Sequence, residues 1–155
     1  MIEEGRKAPT FHLLNQDGKE ISLTDFAGKH VALYFYPKDD TPGCTVEGQQ
    51  FSALHDDFAK KNTIVFGVSK DSVESHKKFH EKYAFKIDLL SDEEGKMLEA
   101  YDAWREKNNY GKTYMGIVRS TVLINPNGKI QKHWRNVKAD GHAEKVLAEV
   151  VDAHA

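Results

Sequence analysis

Cysteine is nearly missing from this chain, with Cys44 the only one in 155 residues. A single thiol forms no disulfide within the molecule, so nothing in the fold calls for an oxidising compartment. Long apolar runs are missing too. The most apolar stretch, 31–36, is strand-sized, far short of the roughly 20 residues that a membrane-spanning helix needs. Neither sign of charge dominates, since 22 basic and 24 acidic side chains leave a net charge of −2. That balance supplies no field for nucleic acid or an anionic membrane surface, and neither is expected as a partner. The first residues, Met-Ile-Glu-Glu-Gly-Arg-Lys-Ala-Pro, lack the apolar core of a signal peptide, and the expected location is cytoplasmic. Repeats and low-complexity tracts are absent. Proline is sparse, at four, yet Pro37 and Pro42 bracket one short loop that leads to the lone thiol.

What remains is 39% hydrophobic and 30% charged, a mixture that suits one globular domain over 1–155. Short apolar pieces around Asn15-Gln16-Asp17-Gly18 predict an N-terminal β-hairpin, and residues 24–28 predict one helical turn closed by glycine. The nearly continuous apolar run 31–36 suits a strand buried on both faces. From Cys44 the spacing becomes helical: Cys44, Glu47, Phe51, Leu54 and Phe58 recur every three or four residues and share one face. Gln49 and Gln50 fall off that face and are expected to be exposed. A strand at 64–68 precedes a helix capped by Asp71 or Ser72 and running through Tyr83. A strand at 87–90, a helix at 94–104 and a polar loop at 105–116 follow. Strands at 121–124 and 129–134 flank Asn125-Pro126-Asn127-Gly128, a hairpin signal. A last helix is predicted over 140–154, with Val150 and Val151 on its apolar face. This order predicts an α/β sandwich with a mixed central sheet flanked by helices.

Cys44 follows a strand and a loop and opens a helix. Unpaired backbone N–H groups and the positive end of the helix dipole converge there, and both favour thiolate, the nucleophilic form. Its place on the stripe turns the sulfur inward, toward a pocket. Thr41 brings a hydroxyl that both donates and accepts, and Pro37 and Pro42 stiffen the loop and remove two N–H groups. A cation is still needed, and Arg119 is one of only four arginines.

Each of these residues has a plainer reading. A lone cysteine is commonly a small buried hydrophobe, Arg119 by itself a surface charge, and Glu47 a first-turn acid favoured by the helix dipole. His76 and His80 have a metal-binding spacing of four, but Lys77, Lys78 and Lys82 beside them point to a solvated basic face, and no metal is expected. Tyr101 and Trp104 fit either the core or the rim of a pocket.

Pro37-x3-Thr41-x2-Cys44 resembles the peroxiredoxin active-site pattern. The surrounding Tyr-Phe-Tyr-Pro-Lys-Asp-x-Thr-Pro-Gly-Cys-Thr resembles the branch called bacterioferritin comigratory protein or peroxiredoxin Q. Segments 15–19, 23–28, 89–93 and 111–121 are similar to the same branch. The resemblance implies a thioredoxin-like fold and a thiol peroxidase acting as a monomer without metal or organic cofactor. It implies Cys44 as the attacking cysteine, with Thr41 and Arg119 beside it. Pro37, Pro42, Gly43 and Glu47 would be supporting residues. Many members of the branch carry a second cysteine five residues after the first, where this chain has Gln49, and others carry it on the next helix, which here has none. The substrate would be hydrogen peroxide or an organic hydroperoxide, and the reductant an external thiol such as thioredoxin, glutathione or a similar small thiol. A non-enzymatic redox sensor is the alternative. A thioredoxin-type oxidoreductase is disfavoured, because no Cys-x-x-Cys pair exists.

Overall fold

The computed structural model describes residues 2–150. Two turns of the same design shape its sheet. Asn15 accepts through Oδ1 from the N–H groups of Asp17 and Lys19, and Asn125 does the same for Asn127 and Lys129. The first turn joins β1 (His12–Asn15) to β2 (Glu20–Ser22), the expected N-terminal hairpin, and a short 3-10 turn, Leu23–Phe26, follows. The second joins β8 (Ser120–Ile124) to β9 (Ile130–Trp134).

Between them lie β3 (His30–Phe35), β4 (Thr63–Ser69) and β5 (Asp88–Ser91), which run parallel, while β1 and β8 flank them antiparallel. The seven-stranded order is β2-β1-β5-β4-β3-β8-β9, a mixed thioredoxin-like sheet as expected. Every residue of β3 is buried, as the apolar run that begins at Val31 requires. Side chains alternate across it: Val31, Leu33 and Phe35 enter one core, Ala32 and Tyr34 the other, where Tyr36, just past the strand, joins them. The second core also holds Cys44.

Helices cover both faces. α1 (Pro42–Ala53), α2 (His55–Lys60), α3 (Val73–Lys82) and α5 (His142–Glu149) supply side chains to the Cys44 face, and α4 (Lys96–Ala100) to the other. Among the described residues, no helix is long and apolar enough to cross a membrane.

Four expectations need correction. The helix predicted over 94–104 ends at Ala100. Asp102, at φ +58°, closes it with bonds from Asp102 N–H to the Glu99 carbonyl and from Ala103 N–H to that of Leu98. This glycine-type stop is built without glycine. The predicted loop 105–116 is a hairpin, β6 (Trp104–Asn109) with β7 (Lys112–Ile117), turned by Tyr110 and Gly111 at φ +52° and +79°. The predicted helix from Cys44 through Phe58 starts at Pro42 and breaks at Leu54, whose N–H is shared between the carbonyls of Gln50 and Phe51. The last helix begins only at His142, after Gly141 at φ +81°. Val151 and the residues after it lie outside the described range.

Candidate active site

The loop 36–41 leaves β3 at the carboxyl end of the parallel strands, the usual edge for a site in such sheets. Pro42 is the first residue of α1 and Thr41 its cap, so Cys44 stands in the opening turn. Thr45 N–H makes the first helical bond, to the Thr41 carbonyl at 2.8 Å. The N–H groups of Gly43 and Cys44 find no backbone or side-chain acceptor among the described residues. They remain available to an anion at the helix start.

Cys44 is 2% exposed, turned inward as its stripe predicts. The pairing of Phe35 with Ser120 and of Tyr34 with Thr121 lays β8 beside β3, so Arg119 arrives next to the loop. Its Nη2 donates to the Cys44 sulfur at 3.3 Å and its Nη1 to Glu47 Oε1 at 2.6 Å. The guanidinium thus bridges two residues one helical turn apart. Glu47 has no exposed surface, and its Oε2 has no hydrogen-bond partner among the described residues. Burial pushes its carboxyl up to about 7, and the pull of Arg119 only partly offsets this. Burial works against the Arg119 charge as well, but Glu47 and the sulfur hold its pKa above the ordinary value.

The structure therefore joins Cys44, Arg119 and Glu47. Thr41 is close in the chain but bonds elsewhere: its hydroxyl donates to the Lys38 carbonyl at 2.8 Å, not to the sulfur. Gly43 is packed so closely under the guanidinium that a Cβ there would lie 3.2 Å from Nη2. Pro37 and Pro42 are exposed on the outside of the loop. Gln49 is exposed as expected, but Gln50 is half-buried and ties α1 to the entry of α5, donating to Asp140 and accepting from the Gly141 N–H.

One further expectation is overturned. His76 belongs to no solvated basic face: it has no exposed surface and bonds to Asp39 and to the Leu90 carbonyl. Its spacing of three from Phe79, the other buried residue of α3, was the available signal. Ligand atoms of Asp39, Asp71 and His76 gather within 4.8 Å, but His76 Nδ1 is hydrogen-bonded to Asp39 Oδ2, and Asp71 Oδ2 already accepts from the Asp39 N–H and the Ser69 hydroxyl. Trp104 and Tyr101 pack with the core on the far side of the sheet from Cys44, away from any rim. His142, which sequence reasoning passed over, is buried on the Cys44 side and bonds through Nε2 to the Thr121 hydroxyl at 2.8 Å.

The model of the AhpC/TSA family matches residues 5–133. A putative peroxiredoxin of Helicobacter pylori is 51% identical over 146 residues, covering 94% of this chain and 96% of its own length. Peroxiredoxin Bcp of Bacillus subtilis is 47% identical, covering 97% of this chain and 96% of its own. Among solved structures, peroxiredoxin Q of Xanthomonas campestris superimposes with a TM-score of 0.90 at 43% identity, over 95% of this chain and 96% of its own.

Proposed function

The chain belongs to the AhpC/TSA family, as a peroxiredoxin of the bacterioferritin comigratory protein branch, and from that membership we propose how its residues reduce peroxide. The Arg119 bridge between the Cys44 sulfur and Glu47 is the observation that carries the reading. Cys44 thiolate attacks the near oxygen of a hydroperoxide in line with the O–O bond. The S–O bond forms as the O–O bond breaks, and the leaving oxygen departs with the electron pair. Arg119 and the free N–H groups of Gly43 and Cys44 stabilise that developing charge. Thr41 has spent its proton on Lys38, so it offers lone pairs to the peroxide O–H. The leaving oxygen takes up a proton as water or alcohol, and Cys44 is left as sulfenic acid.

The alkyl-peroxide-reducing bacterioferritin comigratory protein of Xanthomonas campestris, solved as trapped intermediate and ligand complexes, is 42% identical with a TM-score of 0.90. That likeness supports organic hydroperoxides as substrates beside hydrogen peroxide. Cys44, Arg119 and Glu47 meet within one chain, which supports a monomer as the working unit.

With one cysteine, the sulfenate has no partner thiol in its own molecule. An external thiol, thioredoxin or a small thiol, condenses with it and releases water. A second thiol then displaces Cys44 as its own disulfide forms. The test is consumption of hydrogen peroxide and cumene hydroperoxide with dithiothreitol in excess. The wild type is expected to turn over many times and Cys44→Ser not at all; a fully active Cys44→Ser protein defeats the reading.

A further inference from the structure

The loop that carries Thr41 is held from outside the site by residues that never touch the sulfur. Asp39 is 8% exposed. Its Oδ1 accepts from the Tyr36 phenol at 2.6 Å, and its Oδ2 from the Ser75 hydroxyl at 2.8 Å. The same Oδ2 lies 2.7 Å from Nδ1 of His76, whose Nε2 is 2.9 Å from the Leu90 carbonyl. A carbonyl only accepts, so Nε2 carries a proton, and a second proton lies between Nδ1 and Asp39. With two protons the pair is neutral overall on either placement, the arrangement that burial favours. α3 thereby clamps the loop at Asp39.

The restraint then passes through one peptide unit. The Asp39 N–H donates to Asp71 Oδ2 at 2.9 Å, and the Ser69 hydroxyl fixes that oxygen at 2.6 Å. The carbonyl of the same unit belongs to Lys38 and accepts from the Thr41 hydroxyl at 2.8 Å. A peptide unit is planar, so where Asp71 holds the N–H decides where the carbonyl points. The carbonyl in turn decides which way the Thr41 lone pairs face.

We propose that Asp71 is a positioning residue for Thr41, acting through the Lys38–Asp39 peptide unit, with Asp39 and His76 fastening the same loop. The inference rests on the peroxidase reading above. It gives function to a carboxylate two residues past the end of β4 that neither contacts the sulfur nor lies in the loop.

A double-mutant cycle tests it, read as the single-turnover rate of sulfenate formation with hydrogen peroxide. Thr41→Val is expected to lower the rate about a hundredfold, and Asp71→Ala about tenfold. The double variant is expected to match Thr41→Val alone, because Asp71 acts only through the lost hydroxyl. Asp71→Asn, whose side-chain carbonyl still accepts from the Asp39 N–H, should recover most of the rate. Alkylation of Cys44 by iodoacetamide should change less than about twofold in Asp71→Ala, since Thr41 acts on the peroxide and not on the sulfur. Losses that multiply, a wild-type rate in Asp71→Ala, or an equal fall in alkylation would each overturn the proposal. If Asp71→Ala does not fold, Ser69→Ala supplies the same cycle with an expected loss of about threefold, again absent on the Thr41→Val background. A wild-type protein that fails to form sulfenate would defeat the peroxidase reading itself, before the cycle begins.

Discussion

Gly43 and Arg119 are packed against each other so tightly that a Cβ at Gly43 would lie 3.2 Å from Nη2, the nitrogen that donates to the Cys44 sulfur. The glycine is not required by its backbone, which keeps to negative φ inside the first turn of α1. It is required by the guanidinium. Gly43→Ala should therefore leave stability unchanged or slightly raised, since alanine suits a helix better than glycine. It should also displace Nη2 by a few tenths of an ångström and lower the rate with peroxide about tenfold. Thermal melts beside peroxide assays check the split. A variant as active as the wild type would show that Arg119 has slack.

Glu47 predicts a pH dependence. Burial raises its carboxyl to about 7, against the pull of Arg119. Above that pH an ionised Glu47 anchors Nη1 and holds Nη2 on the sulfur. Below it the neutral acid holds the guanidinium less firmly. The rate with peroxide is expected to fall between about pH 8 and 6 with an ionisation near 7 that Glu47→Gln abolishes. Glu47→Gln should stay at the low-pH value throughout. An ionisation that survives in Glu47→Gln would assign it to another group.

His142 predicts a pH dependence of stability instead. Burial, with Lys145 and Arg119 adding repulsion, lowers its pKa to about 4. In the unfolded chain a histidine titrates near 6.5. Between those values the unfolded chain binds a proton that the folded protein refuses, so stability is lost as pH falls from about 6.5 to about 4. Glu47 works in the opposite sense. Its folded-state value is raised, so its contribution is present at low pH and lost as pH rises through about 7. Melting curves of the wild type and His142→Gln at pH 7.5 and 5 separate the two. The variant should lose fewer degrees over this interval, and an identical loss would remove His142 from the account.

Most of this site was legible because its parts are near in sequence. Pro37, Thr41, Cys44 and Glu47 fall within eleven positions, and helical periodicity alone turned Cys44 and Glu47 to one face. Arg119 required the resemblance, because only the β3–β8 register brings a residue 75 positions away onto the sulfur. His76 was misread because three lysines near it drew attention to charge, whereas its spacing from Phe79 put it on the inner stripe. The β6–β7 hairpin was illegible for a different reason. Eight of its twelve strand residues are exposed, so neither face shows the alternation that marks a strand packed on a core. Its turn residues, Tyr110 and Gly111, also lack the Asn-Gly pair. The stop of α4 at Asp102 was hidden because a residue other than glycine adopts the left-handed conformation there.

Gly67 and Tyr34 give the last prediction. A Cβ at Gly67, in the middle of β4, would lie 2.6 Å from both Cζ and Oη of Tyr34 and 2.9 Å from Leu89 Cδ2. Tyr34 has no room to retreat, for its ring stacks on Phe51 of α1 at 4.5 Å. Gly67→Ala should cost about 2 kcal/mol. It should also slow peroxide reduction, because the push passes through Phe51 to the helix that begins at Cys44. The Tyr34 hydroxyl is buried without a hydrogen-bond partner among the described residues. Tyr34→Phe removes that unpaired group and should stabilise the protein by about 1 kcal/mol. It also removes one of the two Tyr34 atoms that the new Cβ would strike, so Gly67→Ala should cost less on the Tyr34→Phe background than on the wild type. Denaturant titrations of the four proteins measure that coupling. Strict additivity would mean that the strand shifts rather than the ring, and that α1 is insulated from this contact.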